Sequence, residues 1–195
     1  MRRTVLFIAM SLDEYIADQS GGVDWLAGQE PDVENEDSYS KFVRTVDTVV
    51  MGWETYRQVT EELSPTEWVY SDLKSYVITH REKSAQENIQ FVNESPAELI
   101  RRLKAQSGKD IWICGGASIV QQLMMDKLID RFYISVIPVI LGVGIRLFGT
   151  QKEPLELKLL ESRNYRDDLR EKEIIKEPGV GFTSKAGSWI EIYRR

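Results

Sequence analysis

Cysteine and histidine are almost absent from this sequence. Its 195 residues include one of each, Cys114 and His80. A single cysteine excludes an intrachain disulfide, and the two residues are too few for the usual zinc sites built from His and Cys. We therefore expect a protein of a reducing compartment, the cytoplasm, that holds no metal ion.

Excess positive charge and long apolar runs are also lacking. The net charge of −6 gives no long-range attraction to nucleic-acid phosphates or to anionic lipid. The apolar run Val5–Met10 follows Arg2 and Arg3, but it is too short to span a membrane and no clear signal-peptide cleavage site follows it. The sequence therefore predicts neither a nucleic-acid partner nor a membrane, and this run is interpreted as a first strand.

The composition is that of an ordinary globular domain, with 42% hydrophobic and 29% charged residues. The length suits one domain that buries a core without disulfides. No internal repeat and no linker rich in Pro, Gly or Ser divides the chain. Residues 26–37 are acidic and weakly patterned, which predicts a surface loop. We predict a single domain over residues 1–195.

Short apolar runs alternate with helical patterns along most of the chain. The clearest helix is Pro96–Ser107, where Ser95 suits the N-cap, Glu98 completes a capping box and Gly108 suits the far end. This alternation predicts a three-layer α/β/α fold with a mostly parallel sheet. The predicted strands are Thr4–Met10, Thr48–Met51, Ser75–Thr79, Ile89–Val92, Asp110–Cys114 and Arg131–Ile137.

The last third of the chain has a different pattern. Leu155–Tyr165 and Lys185–Tyr193 read as strands with no helix between them, and a charged stretch with the turn sequence 178–181 joins them. We expect a C-terminal antiparallel hairpin at the edge of the sheet.

Two segments run from a strand through glycine into a helix. In Ile111–Val120 the pair Gly115 and Gly116 permits close approach of a ligand, and the first N–H groups of the next helix are suited to a pyrophosphate. A tight turn with no ligand is the alternative. The segment is not a G-x-G-x-x-G fingerprint, which disfavours a standard Rossmann domain. Asp47–Tyr56 repeats the design, and two such turns suit the two ends of one extended ligand.

Taken in order, these motifs resemble the dihydrofolate-reductase-like superfamily. The resemblance is closest to the reductase domain of bacterial bifunctional riboflavin-biosynthesis deaminase-reductases, and it runs from about Val5 to Phe148. The sequence contains no Cys-x-x-Cys, because Cys114 is its one cysteine, so the zinc-dependent deamination step is excluded. The segments that carry the resemblance are Ser11–Ala17, Val23–Trp25, Met51–Tyr56, Val77–Thr79, Cys114–Ala117 and Pro138–Gly144.

The resemblance implies a mixed sheet with NADPH across the carboxyl ends of its strands. It implies hydride transfer to a small heterocyclic or sugar-linked substrate, as in 5-amino-6-(5-phosphoribosylamino)uracil reductase. A dihydrofolate reductase and a non-catalytic nucleotide-binding homologue remain open as alternatives. The cofactor residues that it implies are Ala9, Ile16, Gly52, Trp53, Thr55, Thr79, Arg81, Gly115, Gly116, Ala117 and Ser118.

One departure from the family pattern concerns the choice of cofactor. Proteins of this kind often carry arginine after the glycine of Gly-x-x-Thr, where it clamps the 2′-phosphate, and here Trp53 occupies that position. NADH therefore remains possible beside NADPH. Arg57 and Arg81 are candidate substitutes, because a guanidinium pairs well with phosphate. A solvated surface arginine is the alternative for each.

Two carboxylates are candidates for acid chemistry. Counting back from Gly52 puts Glu36 near the position of the acid of true dihydrofolate reductases. Asp13 follows the first strand, where partial burial is expected to raise the pKa of its carboxyl; capping a turn is its alternative role. Both are predicted catalytic residues.

The substrate cleft is expected beside the nicotinamide. The resemblance places Trp25, Leu141 and Gly142 at its border, and we take Arg146 as the partner of a 5-phosphate on the substrate. Related reductases often form dimers, so a homodimer through the strand Phe132–Ile140 and the C-terminal hairpin is also expected. The sequence does not distinguish an interface strand from a core strand there.

Overall fold

The fold is described from a computed structural model, which describes residues 1–27, 38–151, 153–164 and 188–194. The helices are α1 Ser38–Val43, α2 Trp53–Gln58, α3 Pro96–Lys104 and α4 Ala117–Met125. A 3-10 turn spans Asp24–Ala27, and a π-type turn, Val59–Leu63, extends α2. The strands are β1 Thr4–Ser11, β2 Tyr15–Ala17, β3 Val46–Gly52, β4 Lys74–Ile78, β5 Ile89–Val92, β6 Asp110–Gly115, β7 Arg131–Ile137, β8 Ile145–Arg146, β9 Leu157–Asn164 and β10 Ser188–Arg194.

The main sheet has the strand order β5-β4-β3-β6-β1-β7-β10-β9. The first six strands in that order run parallel, and β10 is antiparallel to both β7 and β9. Strands β2 and β8 form a separate two-stranded antiparallel sheet. This confirms the predicted α/β fold with a mostly parallel sheet and a C-terminal antiparallel pair.

Helices cover both faces of the sheet. The apolar side chains of α3 and α4 pack with Leu6, Val50 and Ile113 on one face. On the other face Phe42 of α1 packs with Trp112, and the aromatic residues of α2 lie against the same cluster. Successive residues of a strand point to opposite faces, which explains why strands buried on both sides read as continuous apolar runs.

Helix α3 begins as predicted and ends earlier than predicted. The Ser95 hydroxyl accepts from the backbone N–H of Glu98, and the Glu98 carboxylate accepts from the backbone N–H of Ser95. The helix ends at Lys104 instead of Ser107, so the assignment of Gly108 as its terminating residue is wrong. Gly108 instead has φ +152°, and a Cβ there would lie 2.5 Å from the Asp47 carboxylate.

The C-terminal strands form an antiparallel pair at the edge of the sheet, as predicted. Strand β10 inserts between β7 and β9, so β9 is the edge strand and residues 165–187, including the predicted turn at 178–181, lie outside the described residues. Both edges of β7 are paired within the chain, to β1 and β10. Strand β7 is therefore an interior strand of this sheet. The homodimer predicted through this strand and the C-terminal hairpin stays a prediction. Residues 28–37 of the predicted surface loop also lie outside the described residues.

Candidate active site

A cavity of about 990 Å³ opens at the carboxyl ends of β3 and β6. Parallel strands end on the same edge of a sheet, so residues that are distant in sequence meet there. Seven of the predicted cofactor residues line this cavity: Ile16, Gly52, Trp53, Thr55, Gly116, Ala117 and Ser118.

Gly116, the second residue of the two-glycine turn, lines the cavity. Gly115 has φ +138°, a backbone conformation that favours glycine, and the Gly115–Gly116 peptide bond is cis. A Cβ on Gly115 or Gly116 would lie 3.6 Å or 3.5 Å from the Thr55 hydroxyl. Gly116 is also the N-cap of α4 and provides no side-chain cap, so the first N–H groups of this nine-residue helix are open to an anion.

A second cavity of about 570 Å³ adjoins the first and contains Thr79 and Arg81. His80 and Asn93 line both cavities, and His80 Nδ1 lies 2.7 Å from Asn93 Oδ1. The second cavity also contains Lys83, which the sequence analysis missed, although it stands two residues after Arg81.

Trp53 joins the two cavities through its indole ring. The Arg81 guanidinium lies 4.9 Å from the ring centroid, and the Lys83 ammonium lies 5.3 Å from it. Cations within about 6 Å of an aromatic face are attracted to it. Two cations therefore pack on the tryptophan that stands where the family often has arginine.

Arg57, the other candidate for a phosphate contact, is engaged elsewhere. Its guanidinium pairs with Glu54 at 3.1 Å, Glu61 at 3.2 Å and Glu62 at 3.1 Å. The hydrogen bonds that Arg57 donates to Glu54 and Glu61 contribute most to raising its pKa. Three carboxylates already surround this cation, whereas within the described ranges no carboxylate forms an ion pair with Arg81.

The segment 19–23 covers one side of the cavity and was not foreseen from the sequence. Asp18 organises it, because its carboxylate accepts from the backbone N–H groups of Ser20 at 2.7 Å and Gly22 at 2.8 Å. The Gln58 side chain donates to the Gly21 carbonyl at 2.8 Å and ties the segment to α2. Turn sequences such as Asp-x-Ser-Gly-Gly signal the turn but not its distant partner.

The Asp13 carboxylate forms hydrogen bonds with a turn that is distant in sequence, at residues 141–142. The carboxylate accepts from the Ser11 hydroxyl at 2.7 Å and from the backbone N–H groups of Leu141 at 3.1 Å and Gly142 at 2.7 Å. Desolvation raises the pKa of Asp13, but these hydrogen bonds together outweigh it and lower the pKa below its ordinary value. The expectation of a raised pKa is therefore wrong, and the alternative role in a turn accounts for the contacts.

The remaining predicted residues do not line either cavity. Gly115 precedes the cavity wall directly, and Ala9 lies on β1 opposite Ser135 of β7. Trp25 lies in the 3-10 turn after Val23, and its indole N–H is buried without a partner among the described residues. Leu141 and Gly142 form the turn held by Asp13.

Arg146, the predicted phosphate partner, faces other groups. Its guanidinium lies 5.0 Å from the Tyr15 ring centroid and 3.8 Å from the Glu14 carboxylate. Its neighbour Ile145 is the residue of β8 that lines the large cavity. Glu36 lies outside the described residues, so its predicted catalytic role stays a prediction.

No helix within the described ranges is long and apolar enough to cross a membrane. Within the same ranges no three His, Cys, Asp or Glu side chains gather as ligands for a metal ion.

The arrangement defines a dihydrofolate-reductase-like fold. The structure of dihydrofolate reductase from Enterococcus faecalis, solved with NADP(H) and an inhibitor, matches with a TM-score of 0.62 and 14% identity over 98% of this chain and 96% of that one. A Thermotoga maritima diaminohydroxyphosphoribosylaminopyrimidine deaminase/5-amino-6-(5-phosphoribosylamino)uracil reductase matches with a TM-score of 0.64 and 14% identity, over 100% of this chain and 57% of that one.

Sequence comparison narrows the class to a family. The model of the RibD C-terminal domain matches residues 2–170, and this chain belongs to that family. It is 42% identical over 165 residues to the uncharacterized protein YwjB of Bacillus subtilis, covering 84% of this chain and 92% of YwjB. A putative riboflavin biosynthesis protein from Shewanella sp. PV-4 matches with a TM-score of 0.78 and 25% identity over 99% of both chains.

Proposed function

We propose that this protein is an NADPH-dependent reductase of the 5-amino-6-(5-phosphoribosylamino)uracil reductase type. The observation that carries the proposal is that the two cavities lie side by side, with His80 and Asn93 in the lining of both. Gly116 and the open N-terminus of α4 line the larger one, and Arg81 and Lys83, the two cations that pack on Trp53, line the smaller one. An extended dinucleotide with a pyrophosphate and an additional phosphate has that distribution of charge.

The residues present fit such a cofactor. The N–H groups at the start of α4 suit the pyrophosphate, and Gly116 leaves space for it because no side chain stands there. Arg81 and Lys83 suit the 2′-phosphate that distinguishes NADPH from NADH. When bound, the nicotinamide supplies the hydride, and the protein positions the acceptor carbon and excludes water from it.

The substrate is proposed to approach from the side of the turn at 141–142. The Asp13 carboxylate fixes this turn, and the Tyr15 hydroxyl donates to the Gly142 carbonyl at 3.2 Å. Arg146 remains our proposed contact for a substrate phosphate; this requires its guanidinium to leave Glu14, from which it is 3.8 Å away. A pair that is exposed on both sides is weak enough to exchange for a phosphate.

The test is turnover with the two candidate substrates. The protein is mixed with NADPH and either the phosphoribosylamino-pyrimidine or dihydrofolate, and loss of the reduced-nicotinamide absorbance is followed. We expect turnover with the phosphoribosylamino-pyrimidine. Faster turnover of dihydrofolate would favour a dihydrofolate reductase, and tight NADPH binding without turnover of either substrate would favour a non-catalytic homologue.

A further inference from the structure

Two side chains are shared by the two cavities, and the proposed function gives neither of them a role. His80 and Asn93 line the larger cavity, which contains Gly116 and the start of α4. The same two residues line the smaller cavity, which contains Arg81 and Lys83. If the proposed function is correct, on which this inference rests, the dinucleotide passes from one cavity to the other beside these two side chains.

Strand pairing brings the two shared residues together. Strands β4 and β5 run parallel, and just past β4 the backbone N–H of Thr79 donates to the Val92 carbonyl at 2.9 Å. Asn93 directly follows β5, and His80 directly follows Thr79. The Thr79 hydroxyl accepts from the backbone N–H of Arg81 at 3.1 Å, which fixes the chain on both sides of His80.

One nitrogen of the His80 imidazole is engaged and the other is not. Nδ1 lies 2.7 Å from Asn93 Oδ1. An amide oxygen only accepts hydrogen bonds, so Nδ1 carries the proton in this contact. Nε2 has no hydrogen-bond partner among the residues that the structure describes. Because Nδ1 already holds a proton, a proton on Nε2 makes the ring an imidazolium that donates from Nε2.

The charged side chains of the smaller cavity do not balance a phosphate. Arg81 and Lys83 are opposed by Glu82, so the lining carries a net charge of +1 while His80 is neutral. A phosphate monoester carries a charge of about −1.5 to −2 near neutral pH. Protonation of His80 would bring the lining to +2, and a hydrogen bond between an imidazolium and a phosphate is stronger than one between neutral groups.

We propose that His80 is a further determinant of the preference for NADPH, that it contacts the 2′-phosphate as an imidazolium, and that Asn93 is the positioning residue that orients its ring. The contact requires a proton on Nε2, so binding of the phosphate and protonation of His80 favour each other. The contribution of His80 therefore grows as the pH falls from 8 to 6. Arg81 stays charged throughout this range, and its own contribution does not follow the protonation of His80.

The other charged side chains around His80 are carboxylates, a lysine and arginines. Groups of these kinds ordinarily change charge below about pH 5 or above about pH 10, whereas histidine does so between about pH 5 and 8. A change between pH 6 and 8 therefore reports on His80 and on the phosphate itself. The charged residues that line the two cavities are Arg81, Glu82 and Lys83 after β4, Glu94 and Glu98 around the start of α3, and Glu54, Arg57 and Glu62 on α2 and its extension.

The first test follows the protonation of His80 directly. His80 is the one histidine of the sequence, so the untagged protein gives a single imidazole signal in a proton NMR titration. The probes are NADP⁺ and NAD⁺, which differ only by the 2′-phosphate. We expect the midpoint of this titration to move to higher pH when NADP⁺ binds and to stay unchanged when NAD⁺ binds. In Asn93→Ala the move should be smaller, because the ring is no longer oriented.

The second test measures the Kd for both cofactors at pH 6 and pH 8. In His80→Asn the shorter amide replaces Nδ1 and leaves no counterpart of Nε2. We expect this variant to bind NADP⁺ about 10-fold more weakly than the natural protein at pH 6 and less than about 2-fold more weakly at pH 8. NAD⁺ binding should be unchanged at both. The phosphate also takes up a proton near pH 6, but this affects both proteins and cancels in their ratio.

Arg81→Met is the matched control for the pH dependence, because it removes a permanent cation from the same cavity. We expect it to weaken NADP⁺ binding by a similar factor at pH 6 and at pH 8. A loss confined to pH 6 in both variants would show that the dependence comes from the phosphate and would overturn the role of His80.

The outcomes separate the two proposals. Binding of neither NADP⁺ nor NAD⁺ would overturn the proposed function, and the assignment of His80 would fail with it. If NADP⁺ binds but the His80 signal does not move, or His80→Asn loses the same factor at both pH values, only the assignment of His80 is overturned. Equal losses of NADP⁺ and NAD⁺ affinity in His80→Asn would also overturn it, because the two cofactors share the pyrophosphate and the adenosine.

Discussion

The guanidinium of Arg81 lies over the indole of Trp53, 4.9 Å from the ring centroid. Trp53 lines the larger cavity and Arg81 the smaller one, so this contact connects them. A flat guanidinium on an aromatic ring keeps its edge N–H groups free to donate. The indole thus orients a cation that follows β4 in the chain. We propose that this cation takes the role of the arginine that often follows the glycine in related proteins.

Replacing Arg81 should change the cofactor preference. In Arg81→Met we expect the affinity for NADPH to fall about 10- to 100-fold, from the loss of a charge-assisted hydrogen bond worth about 1.5–3 kcal/mol, with little change for NADH. Parallel titrations followed by tryptophan fluorescence measure both. Arg57→Met is the matched control, because Arg57 is held by three carboxylates. An equal loss of affinity for NADPH and NADH in Arg81→Met would contradict the assignment of Arg81 to the 2′-phosphate.

A methyl group on Gly116 should weaken cofactor binding without unfolding the protein. Gly116 has φ −81°, which alanine adopts easily, and the nearest atom to its Cβ would be the Thr55 hydroxyl at an ordinary 3.5 Å. The methyl would stand at the start of α4, where the pyrophosphate is proposed to bind. We expect the free energy of unfolding of Gly116→Ala to change by less than about 1 kcal/mol and NADPH binding to weaken about 10-fold or more. Unchanged NADPH affinity would contradict the assignment of the pyrophosphate to the start of α4.

The contact between Asp13 and the turn at 141–142 should persist down to acid pH. The pKa of Asp13 is lowered in the folded protein, so the contact is present above the ordinary value of about 3.9 and is lost as the pH falls through the lower folded value. Hydrogen exchange of the Leu141 and Gly142 amides should show level protection between about pH 5 and 7 and much faster exchange in Asp13→Ala. Protection that disappears between pH 5 and 7 would mean a raised pKa and would restore Asp13 as a proton donor.

Adjacent arginines at the N-terminus should contribute very differently to stability. Arg2 is 6% exposed and donates to the Lys109 carbonyl at 2.6 Å, to the Thr48 hydroxyl at 2.7 Å and to Asp47. Arg2→Met should lower the free energy of unfolding by about 2–4 kcal/mol.

The control for that prediction is Arg3→Met. The Arg3 side chain is 46% exposed in its pair with Asp110, so its removal should lower the free energy of unfolding by at most about 1 kcal/mol. Urea unfolding measures both variants under the same conditions. Equal losses in the free energy of unfolding of the two variants would contradict the prediction that the buried arginine contributes more to stability than the exposed one.

Features encoded within a few residues were predictable from the sequence. Strands β5 and β7 have the predicted bounds, and the other predicted strands differ from the structure by at most three residues at either end. The capping box of Ser95 and Glu98 formed because both partners lie within one helical turn. Such signals need no knowledge of the rest of the chain.

Features that depend on distant partners were not predictable. Gly108 was misassigned because it is packed against Asp47 and Arg2, where a Cβ would not fit. Both residues are distant in sequence and come close only in the folded protein. The pKa of Asp13 depends on a turn 128 residues away in sequence. The position of β10 between β7 and β9 follows from strand pairing that no local pattern specifies.

The central claim is that this fold binds NADPH across the two neighbouring cavities, which share His80 and Asn93. The most direct test is a titration of the natural protein with NADPH and with NADH, followed by tryptophan fluorescence, because Trp53 lines the larger cavity. We predict quenching by both, with NADPH binding about 10-fold or more tightly because of its additional phosphate. Binding of neither cofactor at saturating concentration would contradict the account, and equal binding of both would contradict the role given to Arg81 and Lys83.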